Sequence, residues 1–146
     1  VRTGDLPEHQ RGNMSSQNDL VSLIGRILLG LIFVIAGVDK IMALDGTIKY
    51  ATGAGMPMPD IAVYIGIVIE VGMGLLLLVG FKTRWAAAVL VIFILVANFY
   101  FHQYWNMEGP PRNLNKIMLF KNLALIGGML MLIVAGPGRY SIDARR

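Results

Sequence analysis

The chain has 146 residues, 55% of them hydrophobic and 15% charged, with a mean hydropathy of +0.62. Soluble domains run nearer 45–50% apolar and about 25% charged, so this composition excludes an ordinary water-soluble domain. A net charge of +4 and a pI near 9.6 do not indicate nucleic acid, because the basic residues are scattered between apolar runs and no aromatic-laced basic face exists.

The absence of cysteine removes disulfides, dithiol redox couples, thiolate zinc and cysteine-ligated iron–sulfur clusters from this polypeptide. With only His9, in the polar lead, and His102, near the end of an apolar run, an intrachain bis-histidine haem is not expected.

Residues 1–19 are polar and carry Pro7 and mixed charge, without the basic start, apolar stretch and small-residue cleavage site of a signal peptide. They are expected to form a disordered tail, and translation from Val1 or from Met14 is left open. The first predicted span is 20–42, interrupted by Arg26 near its start and by Asp39 and Lys40 at its end. At 1.5 Å per residue it is long enough for a hydrocarbon core of about 30 Å. Residues 43–60 contain Gly53, Gly55, Pro57 and Pro59, which predicts a loop or a short interfacial piece.

The second span, 61–80, holds a single charge, Glu70, and the short link Phe81-Lys82-Thr83-Arg84 forces the third span, 85–104, to run back beside it. Phe81 and Trp85 at one end, and Phe99, Tyr100, Phe101, Tyr104 and Trp105 at the other, read as interfacial belts. A polar loop with Pro110-Pro111 leads to the fourth span, 116–135, and to a tail over 136–146. The expectation is an all-α integral membrane four-helix bundle. Arg2, Arg11, Arg26, Lys82, Arg84, Arg139, Arg145 and Arg146 fall on one side, against Lys40, Lys49, Arg112, Lys116 and Lys121 on the other. The larger group predicts both termini in the cytoplasm, a balance that narrows if translation starts at Met14.

Charges at bilayer depth cost several kcal/mol on insertion scales and therefore usually face the bundle interior. Arg26, Lys40, Glu70 and Lys121 with Asn122 form the expected buried polar cluster. Arg26, Gly30, Gly37 and Lys40 share one helical stripe; Gly66, Glu70, Met73, Gly74 and Leu77 share another, so glycine accompanies charge on packed faces. Arg26 lies about 9 Å, and Glu70 about 15 Å, from the same surface by helical rise, which leaves Arg26, Lys40 and Lys121 all open as partners of Glu70. The alternative for the lysines and Arg26 is snorkelling to the headgroups.

Asn98, His102 and Trp105 recur at i, i+4 and i+7, a face suited to a quinone carbonyl or a lipid headgroup, against the plainer reading of a satisfied interfacial histidine. The methionines read as filler, and no metal site is expected.

Taken in order, Arg26 with Gly30, Phe33, Gly37 and Lys40, then Gly55-Met56-Pro57, Glu70-Val-Gly-Met-Gly74, Gly80-Phe-Lys-Thr83-Arg84, Lys121-Asn122 and the GPGRYSID stretch from Gly136 to Asp143 resemble the DoxX family. The resemblance covers about Leu20 to Asp143. It implies a four-span bacterial cytoplasmic-membrane protein, with relatives associated with quinone-linked oxidation of sulfur compounds or with membrane oxidoreductase complexes. By position it also carries over Arg26, Lys40, Glu70, Arg84, Lys121, Asn122, Arg139, Ser141 and Asp143. A subunit or anchor of a quinone-linked system, with no intrinsic cofactor beyond a bound quinone and with oxidoreductase subunits or a second copy as partners, is one expectation. A non-catalytic assembly or structural protein is the other, with a small-molecule transporter third.

Overall fold

The computed structural model describes residues 8–146, all helix, turn or irregular chain. Five α-helices follow in order: α1 Glu8–Met42, α2 Leu44–Gly53, α3 Pro59–Val79, α4 Thr83–Phe101 and α5 Pro110–Ala135, with 3-10 turns at Tyr104–Asn106 and Asp143–Arg145. Four of them, α1, α3, α4 and α5, are long and apolar enough to cross a membrane. Their outward faces are apolar: Leu28, Val68, Ile92, Ile117 and Val134 are each more than half exposed, as side chains in contact with hydrocarbon should be. The helices run alternately, so one end of the bundle gathers the α3–α4 link and the C-terminal tail. The other end gathers α2, the end of α4 and the start of α5.

Three boundaries differ from expectation. α1 begins at Glu8, so residues 8–19, expected as disordered tail, are helical; residues 1–7 of that tail lie outside the described residues. The first turns lack apolar periodicity, and residues 14–18 are exposed, so hydropathy reported the start of the span and not that of the helix. The connection 43–60 contains a ten-residue helix, α2, seated on α3 through Ala51, Val63 and Ile67. α5 starts at Pro110, ahead of the expected span, because Pro110 and Pro111 occupy its first turn, where a missing N–H costs nothing.

The link between α3 and α4 is tight for a local reason. Gly80, at φ 71°, terminates α3 with Phe81 N donating to Leu76 O at 3.0 Å and Gly80 N donating to Leu77 O at 3.2 Å, a Schellman ending. Lys82 follows at φ 46° and α4 starts at Thr83.

α1 and α3 approach backbone to backbone. A Cβ on Gly30 would lie 2.9 Å from Gly74 O, and one on Gly74 would lie 2.8 Å from Val34 Cγ2. Phe33, Leu77, Leu90, Ile94, Met129 and Leu132 fill the centre with Ala86 and Ala87. No hydrophobic driving force brings helices together inside lipid, so this close fit is what holds α1 on α3.

Candidate functional site

Lys40 near the end of α1 faces Glu70 at the middle of α3, with Nζ 2.9 Å from both Oε1 and Oε2. It is the one ion pair among the described residues. Gly37, whose absent Cβ would meet Glu70 Cβ at 3.4 Å, lets the helices close enough for that contact. The Glu70 side chain is only 6% exposed, whereas Lys40 is 35% exposed. Oε2 has the lysine charge beside it but no donor in hydrogen-bonding geometry.

The pair forms one wall of a cavity of about 190 Å³ between α1, α3, α4 and α5. Phe93, His102, Lys121 and Asn122 are among its other walls. Asn122 Nδ2 donates to Asn98 Oδ1 at 2.8 Å, which draws Asn98 to the edge of the same cluster. His102 Nδ1 lies 2.9 Å from Asn115 Oδ1, and Asn115 Nδ2 donates to Pro111 O at 2.9 Å. With the amide nitrogen engaged there, Oδ1 is the acceptor, so Nδ1 carries the hydrogen and the Nε2 of the neutral ring is left as an acceptor.

The expected groupings are thereby redrawn. Lys40, Glu70, Lys121 and Asn122 line one cavity, with His102 on its wall and Asn98 bonded at its edge, but Lys121 is exposed and not buried as expected, its long side chain leaving α5 for the surface. Trp105 is not among them. α4 ends at Phe101 and Trp105 sits in the following 3-10 turn, so the i+7 relation is broken; the indole is 59% exposed, edge-on to Tyr104. Asn115, which orients His102, escaped the sequence reading because it looked like the end of a polar loop.

Arg26 is also elsewhere. Its side chain is buried at the opposite end, donating from Nη1 to Pro137 O at 2.9 Å and from Nη2 to Tyr140 O at 2.6 Å. The tail packs along α1 and over the α3–α4 link. Arg139 N reaches Asp19 Oδ1 at 3.3 Å, Ile142 N donates to Val79 O at 3.3 Å, and Asp143 N to Gly80 O at 2.9 Å. The Asp143 carboxylate accepts from Lys82 N at 2.8 Å and Thr83 N at 2.9 Å, capping α4. Ser141 Oγ donates to Gly138 O at 2.7 Å and accepts from Ala144 N at 3.2 Å. Depth along a straight helix could not reveal this, because the partners of Arg26 are backbone carbonyls of an irregular segment more than a hundred residues away.

Burial pushes the Asp143 carboxyl upward, but the Thr83 and Lys82 donors and the Arg146 charge outweigh it and hold it below the ordinary aspartate range. A depressed folded value means that the cap contributes fully above the ordinary value near 3.8 and is lost as pH falls through the lower folded one. Hydrogen exchange of the tail peptide, corrected for intrinsic rates, should therefore stay slow down to about pH 4 and accelerate below it. In Asp143→Asn the acceleration should be absent; equal acid behaviour of the two proteins would refute the cap.

The fold and the cavity define a small multi-pass α-helical membrane protein with an ion pair in its interior. The DoxX family matches residues 21–103, which cover the first three spans, and the chain belongs to that family. The inner membrane protein YphA of Escherichia coli is 40% identical over 84% of this chain and 88% of its own length. The inner membrane protein YqjF of Escherichia coli is 38% identical over 89% of this chain and 95% of its own. A surfeit locus protein 4 homolog of Schizosaccharomyces pombe is 33% identical over 85% of this chain but only 37% of its own length. No solved structure matches.

Proposed function

We propose that this protein is an inner-membrane subunit or anchor of a quinone-linked redox system, with the ring of the quinone in the bundle cavity and the electrons carried by a partner. The observation that supports this reading is the buried Glu70 carboxylate, held by Lys40 in a cavity that His102 and Lys121 also line. At about 190 Å³ the cavity is smaller than the roughly 300 Å³ at which drug-sized sites begin, so it suits a single ring and not a whole lipid.

A quinone supplies two carbonyl oxygens that become hydroxyls on reduction. The chain meets both forms: the ammonium groups of Lys40 and Lys121 donate to an oxygen, while Glu70 Oε2 and His102 Nε2 accept from a hydroxyl. Glu70 and His102 are then the groups that hold or release a proton.

A second reading, a non-catalytic assembly protein, is favoured by how completely Lys40 answers Glu70, since such a pair also fixes helix register. Glu70→Gln separates the two. The ring site requires it to weaken binding of a tail-less benzoquinone by about tenfold or more, the worth of one charge-assisted hydrogen bond, at unchanged protein level. Under the assembly reading the substitution lowers thermal stability in detergent and leaves any redox phenotype proportional to the amount of protein. Quinone binding and co-purifying partners both unchanged would remove the proposed role of Glu70.

A further inference from the structure

Two further hollows adjoin the polar cavity on the α3–α4 side. One, of about 120 Å³, shares Lys40, Phe93, Ala97 and Phe101 with it. The next, of about 350 Å³, shares Met56, Ala62, Gly66, Phe93 and Val96 with the first and reaches Ile65 and Ile92 on the outer surface. Those two isoleucines are 54% and 63% exposed, so the outermost hollow opens on the face that lipid covers. Phe93 is a wall of all three. Opposite it stands Gly66, where a Cβ would already touch Phe93 Cε2 at 3.4 Å. The series therefore runs from charged walls inside the bundle to purely apolar walls at the bilayer, and the missing side chain at residue 66 keeps the middle of it clear.

We infer that the α3–α4 seam at Gly66 and Phe93 is a lateral portal through which the hydrocarbon chain of a quinone leaves the bundle while its ring occupies the cavity at Lys40 and Glu70. The inference rests on the ring-binding reading above and adds the route. A chain moving from bilayer to seam passes from hydrocarbon to hydrocarbon and gains little from the hydrophobic effect. The seam therefore adds little affinity of its own; what it supplies is room for the chain of the bound quinone, and filling it costs binding through strain. A ring-sized cavity has no space for the chain as well, and the seam is the side on which apolar walls run unbroken from that cavity to the lipid.

This difference makes the portal testable by binding in lipid nanodiscs, using two probes: a benzoquinone bearing a decyl chain and the same ring without a chain. Gly66→Leu and Val96→Trp both fill the seam at residues that do not line the polar cavity; Gly66→Leu presses on the shared wall Phe93, so Val96→Trp, at a residue 46% exposed, is the cleaner of the two. Both substitutions should weaken the chain-bearing probe by roughly tenfold or more and leave the tail-less ring within about twofold of wild type. Wild-type binding of both probes by the filled-seam proteins overturns the portal while the ring site stands. Failure of the tail-less ring to bind wild type overturns the ring site, and the portal with it.

Discussion

Gly30→Leu is expected to force α1 off α3 and to lower stability by about 3 kcal/mol or more, because the added side chain meets backbone and not a yielding side-chain end. The first atom in its path is Gly74 O at 2.9 Å, followed by Leu77 Cβ at 3.1 Å and Leu78 Cδ2 at 3.2 Å. Gly74 is blocked reciprocally, by Val34 Cγ2 and by Gly30 O at 3.0 Å. Neither residue can accommodate the other's enlargement, so the helices must separate.

Inside lipid, that separation exchanges close-packed contacts for looser ones with mobile lipid chains, which restore only part of the dispersion energy. It also reaches the site: Gly37, two turns further along the same stripe, abuts Val71 and Glu70, so a displaced α1 carries Lys40 away from its carboxylate. Gly72→Ala is the control, since nothing lies within 4 Å of a Cβ there. Thermal unfolding in detergent should show a large drop for Gly30→Leu and almost none for Gly72→Ala. Equal melting of the two would mean that the glycine stripe does not hold α1 against α3.

That stripe, the four spans and the inward facing of Lys40 and Glu70 are legible in the sequence because each depends on a property that repeats along one helix. Hydropathy reports which stretches lipid surrounds, and the helical period reports which residues share a face. The failures occurred where the chain leaves the period. Trp105 shares the face of Asn98 and His102 only if α4 continues through residues that instead form a 3-10 turn, and Asn115 looks like loop because α5 begins earlier than its apolar run. Helix order around the bundle, which brings His102 and Asn122 to one cavity, is a property of packing between elements, and no single stretch encodes it. Arg26 shows the limit most clearly: its stripe is plain in the helical period, yet nothing local indicates that a Gly-Pro-Gly segment folds back to receive it.

The consequence is that Arg26 and Glu70 should behave as independent sites, and Arg26→Met tests this. The substitution removes two charge-assisted hydrogen bonds to the tail, at 2.9 and 2.6 Å, from a side chain that is only 2% exposed. At about 1.5–3 kcal/mol each, partly recovered when the freed carbonyls reach water, the expected loss is about 3 kcal/mol. Docking of residues 136–146 depends on this anchor, so their hydrogen exchange should accelerate by roughly a hundredfold, the same energy expressed as an equilibrium constant. Arg26→Lys should restore only part of the protection, because an ammonium on a flexible stem does not offer the planar fork that spans both carbonyls. The cavity lies toward the other end of the bundle, so the Lys40–Glu70 pair should be undisturbed and the stability effects of Arg26→Met and Glu70→Gln should add. Unchanged tail exchange in Arg26→Met would refute the latch, and strong non-additivity with Glu70→Gln would return Arg26 to the interior cluster.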